Sequence, residues 1–167
     1  MKKIGLISDT HSFIDQKIFD HLKDCDEIWH AGDIGNLEIY DQLQAVHSIK
    51  AVWGNIDDQL IRRTVPEFQF FELEDFRILI IHIAGKFASY TPQVKDLIKE
   101  LKPSILVCGH SHILKIAYDK SNQLLYLNPG ATGVSGFHKV RTLIKFDLYK
   151  GQISNMNIVE MVKSVQK

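Results

Sequence analysis

The chain has 167 residues, which is enough for one well-packed domain and too few for two of ordinary size. Its 20 Lys and Arg balance its 20 Asp and Glu, and no block of like charge stands out. The composition therefore gives no electrostatic argument for binding nucleic acid or an anionic membrane.

Two cysteines, Cys25 and Cys108, are too few for a disulfide framework, and the N-terminal segment lacks the apolar length of a signal peptide. No run approaches the roughly 18 apolar residues that span a bilayer. We therefore expect a cytoplasmic protein with no membrane partner. It should fold as a single domain over residues 1–160, followed by a short tail at 161–167.

In the first half of the chain, short apolar runs alternate with amphipathic stretches. The runs are KIGLIS, EIWH and IKAVW, and the stretches between them include DQKIFDHLKDC and LEIYDQLQAV. This alternation predicts a βαβαβ unit with a parallel sheet. The segment after IKAVW is expected to be a polar loop.

The second half of the chain predicts hairpins and one more helix. EFQFFELEDFRILIIH predicts two strands joined by a tight acidic turn, and PSILVCG predicts a buried strand. TPQVKDLIKELK predicts a helix with Thr91 as its N-cap and Pro92 at its first position. Two further hairpins are expected to turn near residues 120–123 and 150–151. The expected architecture is α/β, with two packed sheets and helices outside.

In open α/β sheets, ligands bind at the carboxyl ends of the strands, so the residues just past each apolar run are the first place to look for a site. Here every such residue carries an oxygen or imidazole donor. They are Asp9, His11, Asp33, Asn55, His82, His110 and His112. Such a set predicts a metal site.

Seven donors exceed the four that a tetrahedral ion takes, but they suffice for two ions that share one carboxylate. Two ions about 3.5 to 4 Å apart can share a hydroxide and bind a phosphoryl group. Nitrogen and oxygen ligands without thiolate favour Mn²⁺, Fe²⁺, Co²⁺, Ni²⁺ or Zn²⁺. We expect two divalent ions, with Mn²⁺ as the first choice and Ni²⁺, Co²⁺, Fe²⁺, Zn²⁺ or Mg²⁺ as alternatives.

Five short motifs in this order resemble those of the calcineurin-like metallophosphoesterases. They are DTH (9–11), GD (32–33), GN (54–55), a histidine that closes a strand at 82, and GHSH (109–112). The longer forms HAGD, GNID and NPGA are most similar to the compact bacterial and archaeal phosphodiesterase branch, whose fold the retromer subunit shares.

The resemblance implies a four-layer α/β/β/α sandwich with two mixed sheets flanked by helices. It also implies which residue binds which ion. One ion would be bound by Asp9, His11 and His112, the other by Asn55, His82 and His110, and Asp33 would bridge the two. The implied reaction is hydrolysis of a phosphodiester by in-line attack of a metal-bridging hydroxide.

The chain departs from larger relatives at two positions. Where they carry a histidine that helps to protonate the leaving group, this chain has Ile56, and Ile83 stands where glycine commonly follows the metal-binding histidine. Candidates to replace the missing acid are His30 and His138, and His138 together with Asn55 is also a candidate for contacting the substrate. A leaving group of low pKa would need no acid.

We therefore predict a dinuclear metal-dependent phosphodiesterase in which Asp33 and His30 are the catalytic candidates. The alternative functions are a non-catalytic protein-binding scaffold of the same fold, a phosphomonoesterase and a nuclease. The expected partner is a small phosphodiester; nucleic acid stays open, since the balanced charge disfavours long strands only weakly. The apolar segment Phe68–Phe71 is either one side of a core strand or the contact face of a homo-oligomer.

Overall fold

The computed structural model describes residues 1–163. Its strands are β1 (Lys2–Ile7), β2 (Glu27–His30), β3 (Ser48–Ala51), β4 (Phe68–Leu73), β5 (Phe76–Ile81), β6 (Gly85–Lys86), β7 (Ser89–Tyr90), β8 (Ile105–Val107), β9 (Leu114–Asp119), β10 (Leu124–Pro129), β11 (Val140–Tyr149) and β12 (Gln152–Val162). Its helices are α1 (Gln16–Leu22), α2 (Leu37–Val46), α3 (Gln59–Thr64) and α4 (Pro92–Leu101).

Two mixed five-stranded sheets form the centre of the molecule. The first sheet has the order β12-β11-β1-β2-β3, in which β1, β2 and β3 are parallel, as the βαβαβ pattern predicts. The second has the order β4-β5-β8-β10-β9, in which β5, β8 and β10 are parallel. The hairpins β4–β5, β9–β10 and β11–β12 confirm the three predicted turns.

Apolar side chains of the two sheets pack against each other. Ile4 and Trp29 of the first sheet and Ile80 and Val107 of the second are fully buried in one cluster. Each such side chain contributes about 1.5–3 kcal/mol relative to leaving it in water. The interface between the sheets is therefore the central core of the molecule.

Helices cover the outer face of each sheet. Ile18, Leu43 and Ile61 from α1, α2 and α3 are buried against the first sheet, and Val94 and Ile98 of α4 are buried against the second. The result is the predicted four-layer α/β/β/α sandwich. Thr91 caps α4 by accepting from the Val94 amide, and Pro92 stands in its first turn, as the sequence predicts.

Three local predictions need correction or completion. The segment after β3 is not only a polar loop, because residues 59–64 form α3, whose N-terminus is capped by Asp58. The small hairpin β6–β7 was not expected. Strand β12 continues to Val162, two residues into the predicted tail, and residues 164–167 lie outside the described part of the chain.

The apolar segment Phe68–Phe71 lies in β4, at the edge of the second sheet. Phe68 and Phe70 pack against the cluster beneath α4, while Phe71 packs against the cluster between the sheets. Its apolar side chains are thus used on both faces of the sheet. Among residues 1–163, no helix is long and apolar enough to cross a membrane.

Candidate metal centre

The seven predicted ligands lie in the loops that follow five strands. Asp9 and His11 follow β1, Asp33 follows β2 and Asn55 follows β3, all in the first sheet. The other three are in the second sheet: His82 follows β5, and His110 and His112 follow β8. The loops from both sheets meet, so that donor atoms from one sheet lie beside those from the other.

Asp9, His11 and His112 form the first group, and their donor atoms all lie within 4.8 Å of one another. Asp9 Oδ1 is 3.2 Å from Nε2 of His112 and 3.8 Å from Nε2 of His11. Separations of this size are those between neighbouring ligands of a single ion at about 2.0–2.2 Å.

Asp33, His82 and His110 form the second group under the same criterion. Asn55 joins them, because its Oδ1 is 3.1 Å from Nε2 of His82 and 2.9 Å from Nδ1 of His110. The amide oxygen thus lies between the two imidazoles.

The Asp33 carboxylate faces both groups. Its Oδ2 is 3.3 Å from Nε2 of His11, and its Oδ1 is 3.3 Å from Nε2 of His82. One carboxylate therefore presents an oxygen to each group, which is the position of a bridging ligand.

Unsatisfied polar atoms show that the donor set fits divalent ions. Asp9 Oδ1 and His11 Nε2 are buried without a hydrogen-bond partner. His82 Nδ1 lies 2.7 Å from the Ala31 carbonyl, which can only accept, so Nδ1 bears the proton. In the neutral ring the Nε2 lone pair then faces the oxygens of Asn55 and Asp33. A cation between these atoms would satisfy all of them.

Comparison with known proteins agrees with this geometry. The family model of the calcineurin-like phosphoesterase superfamily domain matches residues 1–151. The chain belongs to the calcineurin-like phosphoesterase superfamily. It is therefore a phosphoesterase of a family that uses divalent metal ions, and the two groups of donors described above are the candidates for binding them.

A relative supports the assignment at the level of sequence. A probable metallophosphoesterase of Methanothermobacter thermautotrophicus is 35% identical over 136 residues, which are 78% of this chain and 77% of that protein.

Two solved structures share the fold. The Vps29 of Entamoeba histolytica complexed with Zn²⁺ superposes with a TM-score of 0.75 at 17% identity, covering 97% of this chain and 99% of that one. A novel archaeal phosphodiesterase superposes with a TM-score of 0.74 at 20% identity, covering 95% and 99%. At these identities the likeness is one of fold.

Asp57 connects two of the loops that carry predicted ligands, the GD loop after β2 and the GN loop after β3. Its carboxylate is buried and accepts from the backbone amides of Gly35 at 2.7 Å, Ile34 at 3.1 Å and Gly54 at 2.8 Å. The GD loop and the GN loop are thereby held together. These contacts show that Asp57 supports the site.

Hydrogen bonds also orient the Asp9 carboxylate. Its Oδ2 accepts from the Ser8 hydroxyl at 2.6 Å and from the His110 amide at 3.1 Å. Its Oδ1 is left for the first group of donors. Partners of this kind fix the direction of a metal-binding carboxylate.

Two glycines are needed because backbone passes close to the ligands. A Cβ on Gly54 would lie 2.1 Å from Asp33 Oδ1, and one on Gly109 would lie 2.0 Å from the Ser8 hydroxyl and 2.7 Å from Asp9 Oδ2. Both distances are far inside van der Waals contact.

Several ligands adopt backbone conformations that side chains other than Asn, Asp and His rarely populate. Five of the seven have positive φ angles between 47° and 69°. They are Asp9, His11, Asp33, His110 and His112. Conformations of this type cluster at functional sites, where the surrounding structure maintains them. Nothing in the sequence pattern indicated them.

The charges of the site favour ionised carboxylates. Burial alone would raise the pKa of Asp33, but the imidazoles of His11 and His82, each 3.3 Å away, outweigh it when protonated and hold that pKa well below its usual range. The carboxylates of Asp33 and Asp9 raise the pKa of His11 to about 9. Without metal, the site therefore compensates its two negative charges with protons on imidazole.

The structure places His30, a candidate for the general acid, below the surface of the site. The His30 ring is fully buried; Gly32 donates to its Nδ1 at 3.2 Å, and its Nε2 donates to the Thr10 hydroxyl at 2.9 Å. The Thr10 hydroxyl in turn donates a hydrogen bond to the Ile34 carbonyl at 3.0 Å. Burial lowers the pKa of His30 to about 4, so the ring is neutral. Its Nδ1 holds the GD loop by accepting from the Gly32 amide.

The other predicted contacts lie beside the site. The His138 ring packs edge-on against His112, with centroids 5.3 Å apart, and its Nε2 donates to the Gly133 carbonyl at 2.8 Å. Asn128 donates to the Gly109 carbonyl at 2.9 Å and accepts from Gly130, so it fixes the GHSH turn.

The two departures from the family pattern lie at the surface of the site. Ile56 donates its amide to Asp33 Oδ1 at 3.0 Å, while its side chain is 45% exposed. Ile83 is 38% exposed and lines two clefts, one on each side of it. No acid stands at the position of Ile56, and the Ile83 side chain forms part of the wall of both clefts.

Proposed function

We propose that this phosphoesterase is a dinuclear metal-dependent phosphodiesterase that hydrolyses its substrate by in-line attack of a hydroxide. The observation that carries the proposal is the Asp33 carboxylate, which presents one oxygen to His11 and the other to His82, each at 3.3 Å. Asp9, His11 and His112 would hold one ion, and Asn55, His82 and His110 the other.

Charge favours a diester over a monoester. Two divalent ions bring four positive charges, of which Asp9, Asp33 and one hydroxide cancel three. One net positive charge matches a phosphodiester monoanion. Asn55 contributes an oxygen without charge, whereas an aspartate at the same position would remove the excess.

The residues of the chain position the substrate and the ligands. When bound, the ions would supply a hydroxide at neutral pH and positive charge beside the phosphoryl oxygens. Asn55 is exposed and its carboxamide N–H groups are free to donate to the phosphoryl group. With Ile56 in place of the acid and His30 buried, the leaving oxygen departs without a proton from those residues. The proposed substrates therefore have leaving groups of low pKa.

Two relatives of the fold support the proposal. A novel archaeal phosphodiesterase shares the architecture over nearly the whole chain, and the Entamoeba Vps29 was solved as a complex with Zn²⁺. Mn²⁺ is our choice for the working metal, because ligands of mixed nitrogen and oxygen with three imidazoles or fewer per ion suit it without excluding Zn²⁺.

The test is hydrolysis of bis-p-nitrophenyl phosphate by protein that has been stripped of metal and resupplied with Mn²⁺, run beside Asp33→Asn. We expect turnover that depends on metal and falls at least about a hundredfold in the variant, as for loss of a key electrostatic group. Asp41→Asn, on the exposed face of α2, is the matched control and should keep full activity.

Two results would overturn the proposal. Asp33→Asn with unchanged turnover and two ions per chain would show that this carboxylate does not bridge. Wild-type protein that binds two ions and hydrolyses no phosphodiester would favour the scaffold function instead, and the search would move to protein partners.

A further inference from the structure

Two clefts flank the second group of donors, and Ile83 lies on the wall of both. The first has a volume of about 440 Å³ and includes Asn55 and His82 in its lining. The second has a volume of about 370 Å³ and includes His110. A phosphoryl group placed between these three ligands would therefore have one cleft on each side.

The first cleft is largely apolar, and no lysine or arginine is among its lining residues. The guanidinium of the neighbouring Arg62 is engaged by the Trp53 ring at 4.2 Å and by the Asp57 and Asn55 carbonyls. Trp53, Ile81, Ile83 and Pro92 form its apolar walls. Its only charged lining residue is Glu67, whose carboxylate accepts from the Gln93 carboxamide at 3.2 Å. Although α4 begins here, Pro92 has no amide proton to offer an anion. This cleft suits a flat, uncharged group.

The second cleft has the opposite charge. Lys86 and Lys115 line it together with the aromatic rings of Phe87 and Tyr126. Lys115 Nζ lies 4.8 Å above the Phe87 ring. Within residues 1–163, neither ammonium group lies within 4 Å of a carboxylate, so both charges are available to a ligand. No acidic residue lines this cleft.

We propose that the substrate is a small asymmetric phosphodiester. One arm is flat and uncharged and occupies the first cleft, and the other carries an additional anionic group and occupies the second, as in an aryl ester of a nucleotide that has a further phosphate. The size of both clefts is that of small-molecule sites. This inference rests on the proposed function and adds the class of substrate.

The first experiment compares two esters that differ by one phosphate. Thymidine 5′-(p-nitrophenyl phosphate) and its 3′-phosphorylated form would be hydrolysed with Mn²⁺ by the full chain. We expect the 3′-phosphate to raise kcat/KM about tenfold, the effect of two exposed cationic contacts. Exchanging both lysines, K86Q with K115Q, should bring the ratio to about one, whereas K120Q on the β9–β10 turn should leave it unchanged.

A converse experiment tests the first cleft. Replacing the p-nitrophenyl arm by 3-carboxy-4-nitrophenyl places a carboxylate near Glu67, so kcat/KM should fall, and Glu67→Gln should recover part of the loss. Equal kcat/KM for both arms would overturn the assignment of the first cleft. The assignment of the second cleft would be overturned if the 3′-phosphate did not change kcat/KM in the first experiment. It would also be overturned if the 3′-phosphate still raised kcat/KM in the variant with both K86Q and K115Q.

A binding measurement separates this inference from the proposed function. Calorimetry with Mn²⁺ present would compare thymidine 3′,5′-bisphosphate with thymidine 5′-monophosphate, which needs no turnover. Tighter binding of the bisphosphate that disappears in K86Q with K115Q supports the charged cleft even if no diester is hydrolysed. Equal affinities in the wild-type protein would overturn it even if the phosphodiesterase activity is confirmed.

Discussion

Three buried aspartates at the site differ in what their carboxylates contact. Asp33 faces two imidazoles and no lysine or arginine, and Asp9 uses one oxygen for hydrogen bonds and the other for the first group of donors. The Asp57 carboxylate accepts hydrogen bonds only from backbone amides. The same type of side chain is therefore placed as a proposed bridge, a proposed terminal ligand or a support, depending on what surrounds it.

Replacing Asp57 by Asn should loosen the site without removing a ligand. The new carboxamide NH₂ would face a backbone N–H, so one buried donor would lose its acceptor, at a cost of about 1–3 kcal/mol in the free energy of unfolding. Mn²⁺ affinity should fall as well, because the GD and GN loops separate. Urea unfolding and metal titration would measure both. An unchanged Mn²⁺ affinity would show that Asp57 serves stability alone.

Metal binding should release protons at neutral pH. Because Asp33 and Asp9 raise the pKa of His11 to about 9, this imidazole is charged at pH 7 in the metal-free protein. An ion needs the neutral ring, so apparent affinity should increase with pH up to about 9, by about tenfold per pH unit for each proton displaced. Calorimetry of Mn²⁺ binding in buffers of different ionisation enthalpy would count these protons. A count of zero at pH 7 would contradict the assignment.

At the scale of elements, the loops after the strands depend on close packing of one against the next. Gly54 follows β3, and its missing side chain leaves room for Asp33 after β2. A methyl group there would displace the bridging carboxylate or the loop that carries Asn55. Each ligand loop thus constrains its neighbour.

Gly54→Ala should therefore affect both ions at once. We expect fewer than two Mn²⁺ ions per chain and strongly reduced turnover, with the fold retained because the collision is confined to the loops. Elemental analysis of metal content and far-UV circular dichroism would test this. Alanine at the exposed position Ser121, in the β9–β10 turn, provides a substitution of comparable size that should change neither quantity.

The sequence predicts these elements well where periodicity and turn chemistry agree. The parallel strands, the three hairpins and the caps of α4 are all marked by alternating apolar residues or by turn residues. The helix α3 was missed because it has only six residues and one buried side chain, Ile61. The burial of His30 could not be predicted, since it depends on Thr10, which the packing of β1 beside β2 brings to the ring.

At the scale of the whole molecule, the site joins the two sheets. The first proposed ion takes Asp9 and His11 from one sheet and His112 from the other, and the second takes Asn55 from one and His82 and His110 from the other. Anything that binds here and not to the unfolded chain stabilises the packed sandwich.

Mn²⁺ should accordingly raise the melting temperature. At a free concentration of a hundred times its Kd, each ion adds about 2.7 kcal/mol, which corresponds to several degrees for a domain of this size. Thermal unfolding followed by circular dichroism, with and without Mn²⁺, would measure the increase. Asp33→Asn should show a smaller increase than wild type. A melting temperature that does not change when Mn²⁺ saturates the protein would contradict a site that spans the sheets.

The division of each ligand set between the sheets also orders events during folding. A chain in which only one sheet has formed holds no complete set for either ion, so the metal centre cannot exist before the sheets dock. Cobalt bound to a finished set absorbs visible light, whereas the solvated ion absorbs weakly. In a refolding experiment with Co²⁺, the appearance of colour would therefore time the last step of assembly, when the two halves of the core close on each other.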